Sequence, residues 1–392
     1  MKTASAHLAL FALSGLSLRA VYAPIPEDEQ GRGFTAQVAA GVHHDSNIFG
    51  AATDEIDSMV YQVAPTFAFN ASATPRTFVS ARYRLVLEHM TDRPGDRTID
   101  SHEASVRLAH SFRPDTTLDL TESYQVLRNP ESLLAGVPIN TDQSFKRNQL
   151  DARFDTKVNP RLVATAKARA THYAFDNDNL ARSLDRDEWL FGAAAAYAVL
   201  PETSVVGEVR YQEIGYDAGS AQKDKDSRFL LLGFNYDPTQ KLSARLRAGW
   251  EDRKRRGEAG KDAPYAEASL KYDYGEAGFV SGGYSYALEE TSNLDLYTDS
   301  QVHRLFVNVQ HFVSPVVAAS TSLNFEPAVL QGRRGVSPNQ DEDTVRLGVA
   351  LTYLGRRDWS VSATFDYDRV TSDDAARELK RTRVGFSGRY SF

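Results

Sequence analysis

Residues 43–57, HHDSNIFGAATDEID, gather side chains that could do chemistry. His43, His44, Asp45, Asn47, Asp54, Glu55 and Asp57 offer oxygen donors of the kind that hold a hard divalent cation. The spacing of an EF-hand loop and its glycine are missing, so the stretch reads as a solvated outer loop and no metal is expected. No GxSxG, HExxH or P-loop motif occurs, and the nine histidines suggest no Ser–His–acid set by their spacing. The expectation is a protein that is not an enzyme, with no catalytic residue and no cofactor.

The other charged residues with a pattern are mostly arginines. Arg82, Arg84, Arg107, Arg153, Lys167, Arg169, Arg210, Arg245, Arg247, Lys271, Arg304, Arg346, Arg383 and Arg389 share the polar parity of alternating segments. Acids interleave with them on the same parity: Glu88, Asp151, Asp155, Glu208, Glu251, Glu267, Asp273, Asp366 and Asp368. Basic residues lining a low-dielectric passage focus a field that favours anions. The same residues can instead pair with acids across neighbouring strands and stiffen an interior. Both readings stay open from sequence.

The elements that carry these charges are strands. In WSVSATFDYD, Trp359, Val361, Ala363, Phe365 and Tyr367 alternate with Ser360, Ser362, Thr364, Asp366 and Asp368. Period 2 marks a strand with two different faces. Breaks between such runs alternate in kind. Short ones carry turn residues, as at Thr74-Pro75, Asn159-Pro160 and Asp237-Pro238. Longer polar ones fall near 44–57, 91–100, 128–141, 175–186, 215–226, 252–263, 289–298, 328–342 and 370–379, and about eighteen strands lie between. Acid is expected mostly in these loops, in ATDEID, NQDED and LEETSNLDLYTD.

Short turns at one rim and longer loops at the other describe an all-β transmembrane antiparallel barrel with its turns in the periplasm. Spanning lipid requires all backbone groups to pair within the protein, which a closed barrel achieves. Trp189, Trp250, Trp359, Tyr353, Tyr367 and Tyr390 lie toward strand ends, where aromatic girdles form. The chain has 392 residues, no cysteine and net charge −7, with mean hydropathy −0.43. No apolar run in the body of the chain approaches the ~20 residues of a membrane helix. Residues 1–23 have the basic start, apolar centre and small-residue close of a signal peptide, and 24–33 then form a short periplasmic lead-in before a barrel at 34–392. Zero cysteine also excludes a lipoprotein. The most apolar outer loop, NPESLLAGVPINT at 129–141, is a candidate constriction.

The opening AGVHHDSNIFGAATDEIDSMVYQVAPTFAFN resembles the putative β-barrel porin 2 family. Asp45, Ser46, Asn47, Ile48 and Phe49 match its D-[DS]-N-[IV]-[FY] element, and Asp57 and Pro65 its following spacing. The resemblance implies an outer-membrane barrel associated with secretion of exopolysaccharide or capsule. Asp45 and Asn47 suit a hairpin departure by bonding nearby backbone, with Phe49 at the lip. The last run, VGFSGRYSF, must pair with FTAQVAAGV at 34–42 to close the wall. Its Tyr390 and terminal Phe392 resemble the signature by which such barrels are recognised for insertion.

The expected function is therefore a conduit in the Gram-negative outer membrane, exporting polysaccharide through a basic-lined lumen. A general or anion-preferring diffusion porin is the first alternative. A closed structural barrel that docks periplasmic partners is the second. The expected partners are outer-membrane lipid and lipopolysaccharide, the assembly machinery and polysaccharide-export components, with no nucleic acid.

Overall fold

The computed structural model describes residues 33–128, 144–217, 223–258, 260–275, 278–289, 291, 296–355 and 358–392. The expected signal peptide, the lead-in up to residue 32 and the loop at 129–141 lie outside them.

Among the described residues eighteen strands form one sheet. They are Phe34–Asp45 (β1), Ser58–Thr74 (β2), Thr77–Met90 (β3), Thr98–Arg113 (β4), Thr116–Leu127 (β5) and Phe145–Asn159 (β6). Leu162–Phe175 (β7), Arg186–Leu200 (β8), Thr203–Tyr216 (β9), Lys225–Thr239 (β10), Leu242–Arg255 (β11) and Lys261–Tyr274 (β12) follow. Gly278–Glu289 (β13), Tyr297–Ser314 (β14), Val317–Gly332 (β15), Gln340–Leu354 (β16), Trp359–Ser372 (β17) and Leu379–Ser391 (β18) complete the wall. Each strand pairs antiparallel with its sequence neighbours, and β1 pairs with β18 from Gln37↔Ser391 to Asp45↔Arg383. The sheet is closed, so no edge strand leaves its N–H and C=O groups facing lipid.

The two rims differ as the turn chemistry dictates. On one rim, side chains cap short hairpins: Asn159 Oδ1 accepts from the Arg161 N–H at 2.9 Å, and Thr239 Oγ1 from the Lys241 N–H at 3.2 Å. These Asx and Ser/Thr turns reverse the chain in two or three residues. The other rim holds the longer connections, among them a helix, Asp178–Leu184 (α1), between β7 and β8.

The two faces separate cleanly on β10. Leu230 and Leu232 are 64% and 67% exposed, whereas Leu231 between them is fully buried. The register carries that outward row to Val209 of β9 and Trp250 of β11. Aromatics gather at the short-turn end of the outward face. Trp359 lies opposite Tyr390, Tyr353 packs on Trp359 at 5.5 Å between centroids, and Tyr390 meets Phe392 edge-on at 4.9 Å. This is the girdle that anchors a barrel at a lipid interface. The Phe392 N–H donates to Ala36 O at 2.8 Å, extending the β1–β18 seam past the last strand residue.

The strands run further than the alternation suggests. Gln340–Asp343, expected within the NQDED loop, opens β16, and Tyr297–Ser300 opens β14. Above the lipid both faces meet water, so polar residues occupy both parities while the backbone ladder continues. Asp341 and Asp343 consequently share the outward parity of Val345, and the acid of this segment lies on the wall rather than in a loop.

Candidate functional site

The pairing register carries one inward parity around the barrel. It holds Arg82 and Arg84 of β3, Arg107 of β4, Arg153 of β6, Lys167 and Arg169 of β7, and Arg210 of β9. On the other half it holds Arg245 and Arg247 of β11, Arg304 of β14, Arg346 of β16, and Arg383 and Arg389 of β18. Most of these cations meet a carboxylate. Arg84 pairs with Glu103, Arg107 with Asp119, Arg169 with Asp151, Arg304 with both Glu289 and Glu326, and Arg383 with Asp368. Arg82 has no ion pair among the described residues. The wall is a lattice of alternating charge rather than a bare basic surface.

The densest part of the lattice spans β7, β9, β11 and β12. The Glu208 carboxylate, 1% exposed, accepts from Arg210 Nε at 2.6 Å and Lys167 Nζ at 2.9 Å, with Arg247 Nε at 3.5 Å. Arg210 reaches on to Glu267 at 2.8 Å and to the Tyr265 hydroxyl at 3.1 Å, and that hydroxyl donates to Glu267 at 2.6 Å. Arg247 also donates to Asn235 Oδ1 at 2.8 Å and to Leu246 O at 2.7 Å. Three cations thus meet at the buried Glu208 carboxylate, and Arg210 bridges it to Glu267. Phe229, Leu231 and the Tyr265 ring form a buried cluster on the same inward parity.

Nearer the loop rim a second group joins β11 to β14. Arg253, 4% exposed, donates to Glu251 at 2.9 Å and to Asp299, while Lys261 reaches Asp299 at 3.2 Å. Arg253 and Arg255 are absent from the expected inward set because the alternation assigns 252–263 to a loop. Their odd parity simply continues Arg245, Arg247 and Glu251, and that was the available signal. Arg377, in the turn before β18, likewise clamps Glu342 with two bonds, one of 2.7 Å.

Residues Asp45–Phe49 close the seam. Buried Asp45 takes a bidentate grip from Arg381, with Nε at 2.9 and 3.0 Å, and accepts the Asn47 N–H at 3.0 Å. Ser46 bonds Thr382 in both directions, its N–H donating at 3.0 Å and its Oγ accepting at 2.9 Å. Asn47 bridges Ala51 on its own loop and Lys380 O across the seam. Ile48 then enters a cluster with Val60, Met90 and Ile99, with Phe49 packed beside it. The element therefore ties the first strand to the last and folds the first outer loop onto the inner wall. Among the described residues no group of three or more acids or histidines is placed to hold a metal.

Another outer loop also turns inward. Leu180 and Leu184 of α1, four residues apart on one face, pack against Phe145, Tyr173 and Phe175 of the inner wall. Asn177 caps the helix through Oδ1, and Lys223 Nζ donates to Ser183 O at 2.8 Å. The helix lies in the stretch 175–186 expected as a loop, because a single pair of leucines one turn apart is too short for a periodicity signal. Leu184→Asp is expected to unseat α1 without opening the barrel. Trypsin cleavage at Arg182 should then rise tenfold or more, about 1.4 kcal/mol of local stability, with unchanged far-UV circular dichroism.

The family model described as Putative beta-barrel porin 2 matches residues 33–392. The chain belongs to that family. Membership agrees with the closed wall, the outward apolar belt and the aromatic girdle, and it places this porin in the bacterial outer membrane, among transport barrels rather than enzymes. The porin is also similar, at long range, to Pseudomonas aeruginosa OpdQ, at 10% identity and TM-score 0.48, covering 92% of this chain and 98% of that one. It is similar to Acinetobacter baumannii OccAB3 at 10% identity and TM-score 0.47, over 92% and 99%. The Pseudomonas aeruginosa siderophore receptor PirA follows at 9% and 0.46, over 92% and 80%. No curated protein matches the chain.

Proposed function

We propose that this barrel is a diffusion channel that admits small anions in preference to cations. One observation carries the reading: three cations, Lys167, Arg210 and Arg247, crowd around the single buried carboxylate of Glu208, with Glu267 beside Arg210. A local positive excess on a wall backed by apolar residues and lipid acts on passing ions more strongly than in open water. The test is the reversal potential of the purified barrel in a planar bilayer under a KCl gradient. Chloride should permeate several-fold better than potassium, and Arg245→Ser with Arg247→Ser should bring the ratio toward one. A bilayer without conductance steps would sink the channel, and a cation preference would sink its selectivity.

Export of an acidic polysaccharide is the second reading, favoured by the spread of inward cations from Arg389 near the short-turn rim to Arg383 above it. Normal surface polysaccharide after deletion of the gene would count against it. In either case lipid and lipopolysaccharide surround the apolar belt, and the assembly machinery delivers the barrel to the membrane. Export components would meet the short-turn rim.

A further inference from the structure

At the short-turn end of the inner wall, strands β2 to β6 line an open pocket of about 550 Å³. That volume lies in the range of roughly 300–1,000 Å³ typical of small-molecule sites. Its charged lining is Arg76, Arg107, Asp119, Arg153 and Asp155. Arg107 Nε donates to Asp119 at 2.9 Å and its Nη2 bonds the same carboxylate, which leaves Nη1 for another acceptor. Arg153 Nη2 donates to Asp155 at 2.9 Å, and Asp155 also accepts from Thr165 Oγ1 at 2.6 Å. Arg76 holds its place through Nη1 on Phe112 O at 3.2 Å. Side-chain hydroxyls of Ser72, Thr74, Thr77, Ser111 and Thr117 and the His110 ring add to the polar lining, and half-buried Phe78 and Leu118 give it apolar surface.

We infer that this pocket is a binding subsite for a small hydroxylated carboxylate, met by solutes at the periplasmic end of the channel. The inference deepens the anion-channel reading and rests on it. Three guanidinium groups against two carboxylates leave one positive charge for one ligand carboxylate, which a guanidinium fork binds well. The two aspartates are acceptors only. A bare carboxylate offers them no donor, whereas ligand hydroxyls donate to them and to the lining hydroxyls. A neutral polyol would leave the excess positive charge unanswered. Charge and hydroxyls are therefore both required.

The test is a calorimetric titration of the detergent-solubilised full barrel with gluconate, glucose and acetate at low salt, in parallel with conductance in KCl. Gluconate should bind at least tenfold tighter than either of the others. Arg107→Gln with Asp119→Asn, which removes one charge of each sign and keeps a hydrogen-bonded pair, should weaken gluconate at least fivefold while KCl conductance persists. Arg153→Gln with Asp155→Asn serves as an independent second variant. Acetate binding as well as gluconate would overturn the hydroxyl requirement, and equal glucose binding would overturn the charge requirement. Unchanged gluconate affinity in both folded variants, or no gluconate binding to a barrel that conducts, would overturn the subsite itself. A barrel that binds gluconate but shows no conductance steps would instead defeat the channel reading alone.

Discussion

Asp45→Ala should lower the stability of the barrel by about 3–5 kcal/mol, the usual result of leaving one partner of a buried ion pair unmatched. Asp45 is 1% exposed and the Arg381 side chain 8% exposed, so neither group can turn to water when the other is removed. The loss falls on the seam, where the ladder between the first and last strands must close without help from a connecting turn. It also frees the Asn47 N–H and loosens the anchor of Ile48 in its apolar cluster. The measurement is the urea midpoint for loss of the compact, heat-modifiable form in detergent micelles. Asp57→Ala is the matched control: its contact with His44 is 3.2 Å long but 74% exposed on the aspartate side, and exposed pairs contribute roughly 0–1 kcal/mol. Equal midpoints for the two variants would refute the clasp. The double variant Asp45→Leu with Arg381→Met should recover much of the loss, because a packed apolar pair avoids the stranded charge.

How much of this was legible in the residues follows from where water is. Inside the lipid band one face is apolar and the other polar, so Leu230, Leu232 and Trp250 reveal the outward parity and Arg245 and Arg247 the inward one. Above that band both faces are wet and the pattern disappears, which is why Arg253 and the start of β16 read as loop. Parity says which face a charge is on, but not what it meets. The Glu208 cluster unites residues 167, 208, 210, 247 and 267, and Arg210 reaches Glu267 across the two intervening strands, β10 and β11. Only the curvature of a closed wall brings the Arg210 and Glu267 side chains within 3 Å. The seam element is the opposite case. Its Asp-Ser-Asn chemistry was visible as local backbone bonding, yet its main partners, Lys380, Arg381 and Thr382, come from the far end of the sequence.

The same cluster sets the largest expected change in transport. Glu208→Gln removes the carboxylate that Lys167, Arg210 and Arg247 share, and leaves Glu267 beside Arg210. A unit charge roughly 15 Å from a permeating ion, at an effective dielectric near 20, contributes about 1 kcal/mol. Removing it favours chloride and disfavours potassium by about that much each, about 2 kcal/mol together, so the chloride-to-potassium permeability ratio should rise about thirtyfold at low salt, read from the reversal potential in a KCl gradient. Arg247→Ser should move the ratio the opposite way. Both shifts should shrink as salt is raised from 0.1 M to 1 M, because the screening length contracts from about 10 Å to about 3 Å. Glu208→Gln also strands buried cations, so a loss of a few kcal/mol in stability is expected beside the change in selectivity. Lys167→Gln added to Glu208→Gln separates the two effects. It removes one charge of each sign, restores the original local excess and should return the ratio to the wild-type value. A ratio that stays raised in the double variant would mean that Glu208 acts through the shape of the wall rather than through its charge.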